Sequence, residues 1–155
     1  MSPGTPTELQ LRDAPTLAYD EPMGQAIRKV LDRNLPALPV LGKDGRYAGI
    51  FGEREFLQAL FPGYVGQLRS TSFLTHSLDA VLERRVGCRQ EPVGEHMFSD
   101  HVEVSPDVSD LQVAEIFLHH EVLVIPVVDD GAVKGLILRH DFFRTLAERL
   151  LAGLS

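Results

Sequence analysis

Apolar positions along this chain change period in the same order twice. Met23, Ala26, Ile27, Val30 and Leu31 recur at i, i+3, i+4, i+7 and i+8, which predicts a helix with one apolar stripe and Asp20 as its N-terminal cap. The run ALPVL (37–41) then reads as a strand, Asp44-Gly45 as a hairpin turn, and GIFG (49–52) as the end of a second strand. Phe56, Leu57, Leu60 and Phe61 return to helical spacing. Further along, Ser109 and Gln112 form a capping-box pattern ahead of a stripe of Leu111, Ala114, Phe117 and Leu118. VLVIPVV (122–128), Asp130-Gly131, GLIL (135–138) and a helix through Phe142, Phe143, Leu146 and Ala147 complete the same series. With short strands around Leu17 and Val104, each half reads strand, helix, strand, strand, helix.

The halves also keep register. An offset of 87 positions joins Glu8 to Glu95, Asp13 to Asp100, Leu17 to Val104, Asp20 to Asp107 and Pro39-Val40 to Pro126-Val127. After the hairpin the offset is 86, joining Gly49 to Gly135, Glu55 to Asp141 and Phe56 to Phe142. The one-residue step falls in the turn, where a change of length costs least. A unit of roughly 50 residues is too small to cover its helices' apolar faces alone, so the two copies are expected to pack as one globular module. The fold class is α/β (α+β), two pseudo-symmetric β-α-β-β-α units. We place the first repeat at 8–62, a helical connector at 63–92 and the second repeat at 93–152. Within the connector, Leu78, Val81 and Leu82 predict a short helix ending at Gly87.

Composition narrows the function. A formal net charge of −7 with scattered Lys and Arg opposes a nucleic-acid surface, and LERRVGCR (82–89), the densest basic stretch, reads as a solvated helix end. No apolar run approaches the roughly 20 residues of a membrane span, and the N-terminus lacks a signal-like pattern, so a soluble cytoplasmic protein is expected. Cys88 is the only cysteine, which excludes an intrachain disulfide and a cysteine-based zinc site. Arg85 and Arg89 flank it and would lower its pKa. No nucleophile elbow, His-Glu-x-x-His, P-loop or dinucleotide fingerprint is present, so no enzyme is expected. Glu115 and His119, four apart, with His120, His96 and His101, leave a histidine-based metal site as an alternative.

The ordered set, PV, an Asp-Gly hairpin, then glycine and apolar residues leading to an acidic residue and a helix, resembles a tandem pair of cystathionine β-synthase (CBS) domains. The stretch from Glu95 to Phe143 follows that family's pattern almost throughout, and Tyr19 to Leu57 is a fainter copy. The resemblance implies a stand-alone regulatory module, without chemistry of its own, that binds an adenosine-containing ligand such as AMP, ADP, ATP or S-adenosylmethionine and signals to a separate protein partner. In that family the loop into the last helix reads glycine, apolar, x, Ser or Thr, x, x, Asp, the hydroxyl meeting phosphate and the carboxylate meeting the ribose hydroxyls. Carried over, the second copy has Gly135, Leu138 at the hydroxyl position, Arg139 and His140 between, and Asp141 at the ribose position. Arg139 would replace the missing hydroxyl as a phosphate contact, and His140 would add charge when protonated. The first copy has Gly49, Gly52 at the hydroxyl position, then Glu53, Arg54, and Glu55 at the ribose position, so an anion would meet net negative charge. Pro39 and Pro126 are core residues that would wall an adenine only secondarily. Acidic residues there also stabilise a helix N-terminus without any ligand. The competing reading is therefore a structural dimerisation module with degenerate clefts. A homodimer is expected in either case, because Phe142, Phe143, Leu146, Leu150 and Leu151 give the last helix more apolar surface than one small unit covers.

Overall fold

The computed structural model describes residues 11–61 and 77–153. In chain order its elements are β1 (Leu11–Arg12), β2 (Leu17–Ala18), α1 (Met23–Arg33), β3 (Ala37–Leu41), β4 (Tyr47–Gly52) and α2 (Glu53–Leu60). They continue with α3 (Leu78–Arg85), 3-10 turns at Val86–Gln90 and Val93–Glu95, α4 (Asp110–His119), β5 (Val124–Asp129), β6 (Ala132–Leu138) and α5 (Arg139–Leu151). Residue 62 and residues 63–76 of the expected connector lie outside the described residues; the connector's helix is α3, continued through Gly87 as a 3-10 turn. No helix among the described residues is long and apolar enough to cross a membrane. Contacts divide the chain into two compact units, one of residues 16–99 and one combining 11–15 with 100–153.

In the first unit, β3 lies between β2, parallel to it, and β4, antiparallel to it. Met23, Ala26 and Val30 bury one face of α1, whereas Leu31, expected in that stripe, is 72% exposed. Asp20 does not cap α1. Pro22 holds the N-cap position with no side-chain bond, and the Met23 N–H donates instead to the Glu91 carbonyl at 2.9 Å, which removes the orphan donor from the helix start. The helix ends at Asn34, whose φ of 53° is left-handed, the stop that asparagine tolerates best after glycine.

In the second unit, β6 lies between β1 and β5, antiparallel to both. Ser109 and Gln112 form the capping box on α4 as expected. The buried face of that helix is centred on Val113, with Ala114, Ile116 and Phe117 packed against a core of Val108, Ile125, Val127, Ile137 and Phe142. Leu111 and Leu118 point outward, 83% and 80% exposed: the helix carries apolar residues on two sides, and the sheet takes the side with Val113. The Phe117 and Phe142 rings tilt together at 5.7 Å, joining α4 to α5. Asp130 (φ 51°) and Gly131 (φ 82°) make the left-handed pair that a two-residue hairpin turn requires.

Each sheet takes its last partner from the other half of the repeat. Leu11 and Arg12 pair with Ile137 and Leu136 in the second unit. Phe98, their counterpart at the offset of 87, exchanges two hydrogen bonds with Ile50 in the first, at 3.0 and 2.8 Å. The repeated glycines sit under these segments. A Cβ on Gly49 would lie 2.5 Å from the Phe98 carbonyl oxygen, and one on Gly135 would lie 2.7 Å from Leu11 Cγ and 2.9 Å from the Arg12 carbonyl oxygen. Glycine stands at both places because another stretch of backbone crosses there.

Candidate functional site

The strand-to-helix passages that the sequence picks out are β4 into α2 and β6 into α5. In both, the first helical N–H donates to the carbonyl just before the neighbouring strand: Glu53 to Pro36 and Arg139 to Leu123, each at 3.0 Å. The main chain is thus held alike in the two copies, and the side chains differ.

At the first passage the space beside Gly52 is full. A Cβ there would lie 2.1 Å from the Pro36 carbonyl oxygen and 2.5 Å from Ala37 Cα and Cβ. Glu55 turns back and accepts the Gly52 N–H at 2.9 Å, capping its own helix, and it is 5% exposed. Burial pushes its carboxyl above the usual range, an effect only partly offset by its backbone hydrogen bonds and by Arg54. Glu53 and Arg54 are exposed. Pro39 is a buried strand residue paired with Ile50.

At the second passage Leu138 is buried at the N-cap of α5, and among the described residues no side chain caps that helix. Asp141 meets Arg12, whose Nε donates to Oδ2 at 2.7 Å and whose Nη2 donates to Oδ1 at 3.1 Å. The Asp141 side chain is 12% exposed and that of Arg12 is 52% exposed. The hydrogen bond and the charge of Asp141 raise the guanidinium's pKa further above its already high value. Arg139 is exposed, and His140 is exposed with its Nε2 accepting from Arg144 Nη2 at 3.2 Å and its ring 6.3 Å from that of Phe143. Pro126 is a buried strand residue whose carbonyl accepts the Val104 N–H at 3.0 Å, and Gly135 is occupied with the crossing of β1. Leu138, Arg139, His140 and Asp141 therefore lie together at the mouth of α5, with one cation, Arg12, that the sequence motif did not include.

Other candidates resolve differently. Among the described residues no group of three or more His, Cys, Asp or Glu is placed to hold a metal ion. His101 is buried, its Nε2 donating to the Val124 carbonyl at 2.8 Å, and burial lowers its pKa. His96 pairs with Glu91 at 2.7 Å. Burial pushes the Cys88 thiol up, outweighing the lowering effect of the Arg85 charge, and the Arg85 guanidinium itself donates to the Ala59 carbonyl at 2.7 Å. A cleft of about 660 Å³ opens at the hairpin end of the first unit's sheet, beside Tyr19, Asp20, Glu21, Lys29 and Lys43. Glu21 neutralises Lys29 there and the Lys43 ammonium sits 5.3 Å over the Tyr19 ring, so its cations are already engaged.

The CBS domain model matches residues 7–62 and 93–148. Solved structures share the fold. The CBS domain of a CBS domain-containing membrane protein from Sphaerobacter thermophilus is 22% identical with a TM-score of 0.67, over 88% of this chain and 84% of that one. A putative acetoin utilization protein from Vibrio cholerae is 21% identical with a TM-score of 0.68, over 94% and 90%. CBSX2, solved in complex with AMP, is 16% identical with a TM-score of 0.65, over 90% and 93%.

Proposed function

This chain belongs to the CBS domain family, two copies in tandem, and from that premise we propose a regulatory module that binds an adenosine-containing nucleotide at the second copy and conveys its state to a separate protein partner. The observation that carries the proposal is the Asp141 carboxylate. Both of its oxygens accept, side by side, from the two donors of the Arg12 fork. Two neighbouring ribose hydroxyls present the same kind of paired donor, which a carboxylate held at a helix start can take in the same way. The AMP bound by CBSX2 supports an adenosine ligand for this fold. AMP, ADP, ATP and S-adenosylmethionine are the ligands to try first. The first copy contributes no such group, since Glu55 is spent on its own helix. Arg139 and His140, exposed beside Asp141, are the phosphate contacts of this reading.

Titration calorimetry with the four nucleotides tests it. Binding by the wild type that Asp141→Ala removes is the expected result, and no heat and no thermal shift with any of the four, in folded protein, overturns it. A second reading, a dimerisation module, is favoured by one further observation: Phe143, Leu146 and Leu150 form an exposed stripe on α5. We propose a homodimer through that face, compatible with either reading.

A further inference from the structure

We propose that Arg12 is a built-in competitor for the nucleotide: its guanidinium holds the carboxylate of Asp141, and a ribose binds only as that fork lets go. The inference rests on the nucleotide reading above and adds to it a residue that no sequence motif marks. Three observations lead to it. First, the two hydrogen bonds, at 2.7 and 3.1 Å, engage both oxygens of Asp141, so a pair of hydroxyls and the fork have the same acceptors to share. Second, the pairing of Leu11 with Ile137 and Arg12 with Leu136 anchors the competitor through its backbone, so it remains close after release and its effective concentration stays high. Third, the Arg12 side chain is half exposed while Asp141 is nearly covered. The fork thus has open solvent to swing into, whereas the nearly covered carboxylate keeps its need for a donor.

Glu55 gives the contrast. In the first copy the acidic residue is neutralised by its own helix start at 2.9 Å, and an exchanged strand brings no cation, since Phe98 is followed by Ser99 at the position of Arg12. The guanidinium is therefore a feature of one copy only.

The test is calorimetry of the full chain with adenosine, AMP and 2′,3′-dideoxyadenosine, comparing wild type with Arg12→Gln, which keeps most of the side-chain stem and the strand pairing. Arg12→Gln should bind adenosine roughly two- to fivefold more tightly, the range set by a half-exposed ion pair. Dideoxyadenosine, which lacks the two hydroxyls, should gain nothing, a distinction that mere loosening of β1 would not produce. Thermal melts and circular dichroism of Arg12→Gln and of a second variant, Arg12→Leu, confirm that the fold is kept. Equal adenosine affinity in wild type and both variants overturns the competitor while leaving the nucleotide reading in place. Loss of AMP affinity with no gain for adenosine also overturns it, and makes Arg12 a phosphate contact instead. Absence of binding to every protein, by all three ligands, overturns both.

Discussion

Gly52→Ser writes back the hydroxyl that the family resemblance asks for, and the structure says the first copy will not accept it. The new Cβ would lie 2.1 Å from the Pro36 carbonyl oxygen and 2.5 Å from Ala37 Cα, both main-chain atoms of the adjoining strand. No rotamer relieves this, because the clash is with the Cβ itself. Ala37 pairs with Gly52, and Pro36 accepts the Glu53 N–H at 3.0 Å, so retreat of that segment opens the end of the β3–β4 ladder. Overpacking a filled site costs about 1–3 kcal/mol, and losing one such hydrogen bond adds about 1 kcal/mol. At about 2–4 °C per kcal/mol for a chain of this size, melting should fall by roughly 5–15 °C. Leu138→Thr, at the corresponding place in the second copy, replaces a side chain that already carries a Cβ. It should fold with a smaller loss, about 1–2 kcal/mol from buried apolar area. Thermal and urea unfolding of the two variants beside wild type make the measurement. A Gly52→Ser protein within about 0.5 kcal/mol of wild type, inside the range of ordinary surface changes, would refute the steric argument.

Glu55→Ala should cost about 1 kcal/mol in urea unfolding by removing the acceptor for the Gly52 N–H, and Glu55→Gln, which keeps an acceptor, should lose less. Burial raises the Glu55 pKa above 4.5, so wild type gains from this group as pH falls through the raised value, and Glu55→Gln should lack that gain when midpoints are compared between pH 7 and 4.5. His101 has the opposite sign: its pKa is lowered below 6.5, so its contribution is complete above pH 6.5 and is lost as pH falls towards the lowered value. His101→Gln should flatten that part of a melting-temperature profile. Leu150→Lys, on the 71%-exposed end of the α5 stripe, should shift light scattering towards a single-chain mass without lowering the melting temperature of the unit itself.

The doubled order of elements was legible because periodicity is local: Met23, Ala26 and Val30 bury as a stripe, and Ser109 with Gln112 caps as its spacing dictates. What escaped depends on partners far along the chain. The repeated Gly49 and Gly135 were visible as a pattern, but their cause, the passage of Phe98 and of Leu11–Arg12 over them, joins segments that no window contains. Arg12 was missed for the same reason. The register offered the only signal, since Arg12 aligns with Ser99 in a stretch shared by both halves. Cys88 shows a different limit: flanking cations are read from sequence, whereas the burial that outweighs them is not. On α4 the spacing allowed two apolar faces, and only the position of the sheet chose Val113 over Leu111 and Leu118.

The difference between the copies comes down to which donor each carboxylate takes. Both acidic residues stand at the third position of their helices, from which a carboxylate can reach back to the N-cap N–H. Glu55 closes it, and in doing so buries a charge whose ionisation the surroundings resist. Asp141 leaves its helix start uncapped by any side chain and keeps both oxygens for an outside donor. The glutamate therefore turns the first passage into a structural joint, and with Gly52 sealed by Pro36 and Ala37 no room is left for a hydroxyl-bearing side chain at that position. At the second passage a carboxylate so nearly covered would be costly without a partner, which Arg12 supplies. A ligand that takes those two oxygens must match what Arg12 gives. On the nucleotide reading proposed above, the pairing that satisfies Asp141 also sets the threshold for ligand binding.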